Sequence, residues 1–393
     1  MNDIDLYNVI IAILSLVIVC ISSLSIRRKG IKSYNILFFM FFLCLFVNTL
    51  KLSYLQKEKT LLDIYYFFIG PLVFCLPLYI ADRSKITMHS FSLPIITINQ
   101  IFCIFLSSYI LLKLYISSIV GWRIESLLDS TYLIDGDTMA VPGFTGLALS
   151  LQWLLLMLSP YVKKKFKYIF IISLIIFAFL HVKRGDIMRM FVFYFIYYLY
   201  NNFKNHSFRY IFKRSIIVII VVLSVFVFLG NLRQDARGGG GSEVVELLEF
   251  KVDNIPLAWV YSYFAINYDV FKLYYDVPPT YKFSAILNTF AGEEQNLYNR
   301  NYNGFNASTF LTQFVIDFGT FFFIELFFFA VIISMLTYVS RILYLNSLYV
   351  FICGILFLFP FGNYFQSRAM FVSMFLFIIT NIFLKKTSHE SHH

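Results

Sequence analysis

The chain has 393 residues, of which 59% are hydrophobic, 20% aromatic and 14% charged, and it carries a net charge of +10. Soluble domains hold about 25% charged residues, so a water-soluble globular enzyme is excluded, and a mean hydropathy of +0.74 is that of a polytopic membrane protein. The apolar runs are continuous rather than alternating, which excludes a membrane barrel and leaves helices as the spanning elements.

In chain order, eleven apolar stretches are predicted as crossings: 6–24, 34–50, 64–80, 91–112, 141–158, 169–182, 187–200, 215–229, 320–339, 343–359 and 369–384. The first lacks a basic leader and a small-residue cleavage site, so it reads as an anchor rather than a signal peptide. Arg27, Arg28, Lys29 and Lys32 place the first connection in the cytoplasm. Alternation then puts two basic runs inside as well, Lys163, Lys164, Lys165 and Lys167, then Lys204, Arg209, Lys213 and Arg214. The N-terminus is thereby periplasmic, and Lys385 and Lys386 at the other end are cytoplasmic. The expected fold class is an all-α polytopic integral membrane protein with about eleven transmembrane helices and one long outer loop.

Three parts are predicted: a membrane bundle of about eight helices over 1–229, a long periplasmic loop over 230–308, and about three helices over 309–393. No internal repeat suggests the paired halves of many transporters. The middle of the loop, 255–268, is apolar and holds Trp259, Tyr261 and Tyr263, which predicts an interfacial helix on the membrane surface. Four consecutive glycines at 238–241, followed by Ser242, are flexible by composition and read either as resembling an engineered linker or as a natural mobile hinge. The positive charge is an orientation signal, and no basic–aromatic module points to nucleic acid. Cys20, Cys44, Cys75, Cys103 and Cys353 all fall in predicted crossings, so no disulfide framework is available. The abundance of Phe, Ile, Tyr, Asn and Lys is what an A+T-rich bacterial gene encodes, and the expected location is the bacterial inner membrane.

The tetrad Lys183-Arg184-Gly185-Asp186 is the most informative local feature. The basic runs on either side leave only 168–203 for two crossings, and each crossing needs ~20 helical residues. The tetrad therefore sits at the outer membrane boundary, against the cytoplasmic bias of Lys and Arg. Charges placed at such cost line polar cavities and serve ligands. Arg184 then reads as a phosphate clamp, with Arg189 about one turn further on facing the same cavity. The competing structural reading pairs Arg184 with Asp186 at a helix corner, has His181 cap a helix and lets Arg189 snorkel.

Arg233 and Arg237 are four residues apart and share a helix face, as a diphosphate holder or a solvated helix end. The stretch from Arg300 through Asn306 and Thr309 to Asp317 and Gly319 interleaves Asn, Tyr and Thr, as surfaces that bind sugars do. It can equally be a turn leading into a helix. Glu325, deeper in the ninth crossing, marks a polar interior. Arg368 closes the last outer loop. No Walker lysine motif, serine elbow or zinc spacing occurs, so no cofactor and no metal are expected, with Asp135 and Asp137 the compact acidic pair in the loop ahead of the fifth crossing.

Taken together, these features resemble the oligosaccharide repeat-unit polymerases of bacterial surface polysaccharides, the Wzy-type O-antigen polymerases. The resemblance is carried by Lys183-Arg184-Gly185 between two crossings, by Arg233 after Gly230, and by Asn306 to Thr309 followed by Asp317-Phe318-Gly319. The Arg-x10-Gly pattern of some members is not present at Arg233 or Arg237. The resemblance implies transfer of glycan from a polyprenyl diphosphate to a sugar hydroxyl of the next lipid-linked repeat unit. Its partners are the lipid-linked donor and acceptor, membrane lipid and a chain-length regulator protein. Lys183, Arg184, Arg189, Arg233, Arg237, Arg300 and Arg368 would bind substrate, the arginines stabilising the departing diphosphate without a metal. Asp186, His181 or Asp317 would supply the base. Two other readings stay open: a flippase or exporter of lipid-linked sugars, which the lopsided layout disfavours, and an O-antigen ligase with a different acceptor.

Overall fold

The computed structural model describes residues 3–83, 95–121, 141, 143–180, 184–203, 208–235, 243–291, 308–362 and 364–390. Among them the long helices are α1 (Asp3–Lys29), α2 (Ser33–Thr49), the short α3 (Leu61–Ile64) running through a π-type turn into α4 (Gly70–Arg83), and α5 (Ile95–Val120). There follow α6 (Phe144–Leu158), α7 (Lys164–Leu180), α8 (Arg184–Asn202) and α9 (Phe208–Asp235). The stretch between α9 and the last membrane helices holds short helices, α10 (Glu243–Leu247), α11 (Ile255–Tyr261), α12 (Asn267–Lys272), α13 (Ser284–Ala291) and α14 (Thr312–Phe318). The chain closes with α15 (Phe323–Ile342), α16 (Asn346–Phe357) and α17 (Arg368–Glu390).

Among the described residues five helical stretches are long and apolar enough to cross a membrane, Leu6–Lys29, Leu61–Arg83, Thr97–Val120, Phe144–Tyr161 and Phe323–Ile342, and α2 and α16 are shorter apolar helices. Their outward faces are apolar: Ile13 and Ile21 on α1, Leu72, Leu76 and Ile80 on α4, Ile104 and Leu111 on α5 are all exposed. An exterior of that kind is stable in lipid, not in water. The class is an all-α membrane protein.

Hydrogen bonds group the helix ends into two opposite faces of the bundle. At one face Asp82, near the end of α4, accepts from the Ser33 backbone N–H (2.8 Å) and from the Tyr349 hydroxyl (2.8 Å). Tyr200 reaches Asn346 there, and the Lys163 N–H donates to Asn99. At the other face Asn8 donates to the Thr49 carbonyl, the Tyr65 hydroxyl to the Thr320 carbonyl, and the Phe310 N–H to the Phe359 carbonyl. Consecutive long helices therefore run in opposite directions. The Asp82 carboxylate at the start of α2 occupies the positive end of that helix dipole, which is why Ser33 can begin a helix in a buried place.

The segment expected to lie on the membrane surface is instead packed into the bundle. Asn254 caps α11 through the Leu257 N–H (2.9 Å), and Ala265, Tyr268, Asp269 and Phe271 have no exposure at all. The Tyr268 hydroxyl donates to the Phe41 carbonyl inside α2, and Asn48 donates to the Ala265 carbonyl and to Asp269. Apolar content alone suggested a helix floating at the interface. Buried polar partners on α2 draw it in.

Charge pairs hold this segment in place. Lys59 lies 3.8 Å from Asp269, and Lys272 lies 3.0 Å from Asp63, with all four side chains 6% exposed or less. Tyr275 donates to Asp63 (2.8 Å), Lys272 to the Glu58 carbonyl (2.6 Å), and Lys59 to Asn48. Burial pushes the Lys59 ammonium below the ordinary lysine range, and Asp269 opposes that shift. Removing one member of a buried pair strands its partner and costs about 3–5 kcal/mol. Asp269→Ala is accordingly expected to lower thermal stability strongly in detergent, and Asp269→Asn less so. Thermal unfolding of the purified variants measures it.

Candidate functional site

The first turns of α8 set up the site. Asp186 lies in the first turn and Arg189 one turn further, on the same helix face. The Arg189 Nη1 donates to Asp186 Oδ1 at 3.4 Å. The guanidinium is then held between two aromatic rings, 5.4 Å from the Trp153 centroid on α6 and 5.2 Å from that of Tyr364, in the turn ahead of α17. Cation–π contacts of this kind contribute about 0.5–2 kcal/mol each and fix the plane of the guanidinium.

Two glycines lie in ordinary van der Waals reach of side chains on α8. A Cβ at Gly185 would stand 3.6 Å from the Arg189 Nη2, so the head group folds back over the glycine. At Gly354 a Cβ would meet Val192 at 3.7 Å, which brings α16 close against α8. The resulting cavity is walled by Trp153, Phe193, Phe351, Ile355, Leu358 and Met370, with Arg189 and Tyr364 at its polar side. Two buried donors here have no acceptor among the described residues, Arg189 Nε and Trp153 Nε1. Unpaired buried donors are costly and call for an explanation. The space beside them is about 10 Å³, room for one water molecule, so a larger acceptor enters only if the walls part.

The other residues singled out by sequence fall as follows. Arg184 is the first residue of α8 and Arg233 lies near the end of α9, their side chains outside the described set. His181, Lys183, Arg237 and Arg300 lie outside the described residues. Arg368 opens α17 and is exposed, four residues beyond Tyr364. Asp186, Arg189 and the loop bearing Arg368 are thus brought to one end of the bundle.

Asp317 is placed differently. It has no exposure, and its carboxylate accepts from Thr280 Oγ1 (3.1 Å), Ser284 N–H (3.0 Å), Ala285 N–H (3.1 Å), Gln313 Nε2 (3.2 Å) and the Ser284 hydroxyl. That is a cap for α13, with both oxygens committed. Glu325 sits against it and takes the next N–H, from Ile286, at 3.2 Å.

Trp153 and Tyr364 escaped sequence reasoning. The one signal for Trp153 was the Gln152-Trp153 pair interrupting a run of leucines. Comparison with family models, with curated proteins and with solved structures finds no match.

Proposed function

We propose that the chain polymerises lipid-linked oligosaccharide repeat units of a bacterial surface polysaccharide. The observation that carries the proposal is the Arg189 guanidinium set between Trp153 and Tyr364 with an unpaired N–H beside an unpaired Trp153 N–H. A guanidinium set against aromatic rings suits a phosphate-linked sugar, the anion on the cation and the sugar beside a ring, once the space of about 10 Å³ opens to admit it. In this reading the bundle has eleven crossings in the inner membrane, with the Arg189 end periplasmic, the N-terminus outside and the C-terminus inside.

In the reaction proposed, an acceptor hydroxyl oxygen attacks the anomeric carbon of the donor sugar. The bond from that carbon to the diphosphate oxygen breaks, and the polyprenyl diphosphate departs with the electron pair. Arg189, with Arg184 at the helix start, offsets the negative charge that develops. Asp186 takes the proton of the attacking hydroxyl, and is preferred to Asp317 because among the described residues its carboxylate accepts from Arg189 alone, whereas that of Asp317 caps a helix. Deletion of the gene followed by gel analysis of surface glycan tests the function. A product of one repeat unit supports the polymerase, whereas naked lipid A-core points to a ligase or flippase.

A reaction assisted by arginines alone should run in excess chelator. The rival is a divalent ion held by Asp135 and Asp137, which lie outside the described residues, since Mg²⁺ needs one or two carboxylates plus substrate phosphates. Purified protein is expected to polymerise lipid-linked repeat units equally with and without EDTA. Activity lost in EDTA, restored by Mg²⁺ and abolished by Asp135→Ala would establish the metal mechanism instead. Cysteine labelling of intact cells at position 246 and not at 165 is expected from the orientation; the reverse pattern inverts it.

A further inference from the structure

The start of α13 turns its backbone N–H groups and the buried Ser284 into the protein, while Thr280 and Lys282 stay exposed. The backbone just ahead of it pairs with α14, Thr280 N–H to the Ile316 carbonyl (3.1 Å) and Tyr281 N–H to the Asp317 carbonyl (2.7 Å). The first three N–H groups of α13, from Ser284, Ala285 and Ile286, then go to the carboxylates of Asp317 and Glu325. Neither carboxylate has any exposure. Helices starting in water are capped as well, commonly by an exposed side chain such as Asn254 on α11, whereas both carboxylates here are sealed inside the protein. At hydrocarbon depth every backbone group must be satisfied from within the protein.

The opposite side is open and mostly apolar, with Lys282 exposed among its apolar side chains. Tyr281 is 68% exposed, Leu287 56%, Phe321 58% and Phe328 53%, with Phe283 between them. Ring contacts join Phe283 to Phe318 and Phe328, and Tyr281 to Phe318. Phe328 belongs to α15, one of the membrane-length helices, whose Met335 and Tyr338 are also exposed. The strip over α13 therefore continues the outward face of a spanning helix, although α13 is far too short to span.

We infer that Phe283 and Leu287 are immersed in the lipid leaflet at the Arg189 end of the bundle, with Leu287 among the acyl chains and the Tyr281 hydroxyl and Lys282 ammonium at headgroup level. Aromatic residues with one wet end favour that boundary. The partner of this surface is the phospholipid bilayer, and the inference rests on the membrane character of α15 and not on the transfer reaction proposed above. Because α13 also packs against the turn Tyr364–Gln366, lipid here lies beside the loop that covers Arg189.

The test places a reporter tryptophan on the strip. Leu287→Trp protein is reconstituted in phosphatidylcholine–phosphatidylglycerol vesicles, with and without brominated acyl chains, and the unsubstituted protein is subtracted. The added emission is expected to be blue-shifted and quenched by brominated lipid as fully as that of a Phe328→Trp control on α15. Quenching by aqueous iodide, or shielding from both iodide and brominated lipid, would overturn the inference, the first meaning water and the second a protein cover. Phe321→Trp serves as the reporter should Leu287→Trp not elute as a single folded species.

Discussion

Arg189→Ala is expected to abolish polymer formation while the protein still inserts and accumulates at normal level. The substitution removes the one cation that closes the cavity between Trp153 and Tyr364, and it leaves the Asp186 carboxylate facing the substrate without its partner. Loss of a charge-assisted contact that strengthens in the transition state costs about 3–4 kcal/mol, or 10²–10³ in rate. Arg189→Lys keeps a charge but not the planar fork, nor the stacking on two rings, so only slight rescue is expected. Arg184→Ala should lose activity in the same way. The measurement is turnover of lipid-linked repeat units by purified variants alongside their yield from membranes. A fully active Arg189→Ala protein would sink the site.

Asp317→Ala has the opposite signature: the protein itself should fail. The substitution leaves the N–H groups of Ser284 and Ala285, the Thr280 hydroxyl and the Gln313 amide without their acceptor in a fully buried place. Each stranded donor costs about 1–3 kcal/mol. The sum is less than additive, and a net loss on the order of 4 kcal/mol is expected. Asp317→Asn should be little better, since an amide nitrogen would replace one acceptor oxygen among several donors. Accumulation in membranes and the unfolding temperature in detergent report the effect. Were Asp317 the catalytic base, the variant would accumulate normally and merely be inactive.

What could be read from the chain beforehand follows its local periodicities. Helix positions and their alternation were legible because apolar runs and basic clusters are local signals. The pairing of Asp186 with Arg189 was legible in part, since three residues along a helix share a face. Trp153 and Tyr364 were not, because the sandwich around Arg189 joins α6, α8 and the turn before α17, and no local pattern encodes such a meeting. Asp317 misled for a related reason. Its place after Asn306 and Thr309 suggested chemistry, whereas its role is decided by Ser284, more than thirty residues earlier. The burial of α11 and α12 depended likewise on Asn48 and Phe41, more than two hundred residues away in sequence.

That last separation has a consequence for how the molecule is made. Lys59 and Asp63 leave the ribosome 210 and 209 residues ahead of Asp269 and Lys272, their partners at 269 and 272. At about 5–20 residues per second, they wait on the order of 10–40 s before those partners exist. Throughout that interval one lysine and one aspartate stand without their ion-pair partners, held only by Asn48 and Thr60, which precede them in the chain. The chain is thus incomplete in charge as well as in shape until α12 arrives and docks. A protein truncated before α12 would carry this mark permanently, exposing to quality-control proteases a feature that the finished molecule conceals.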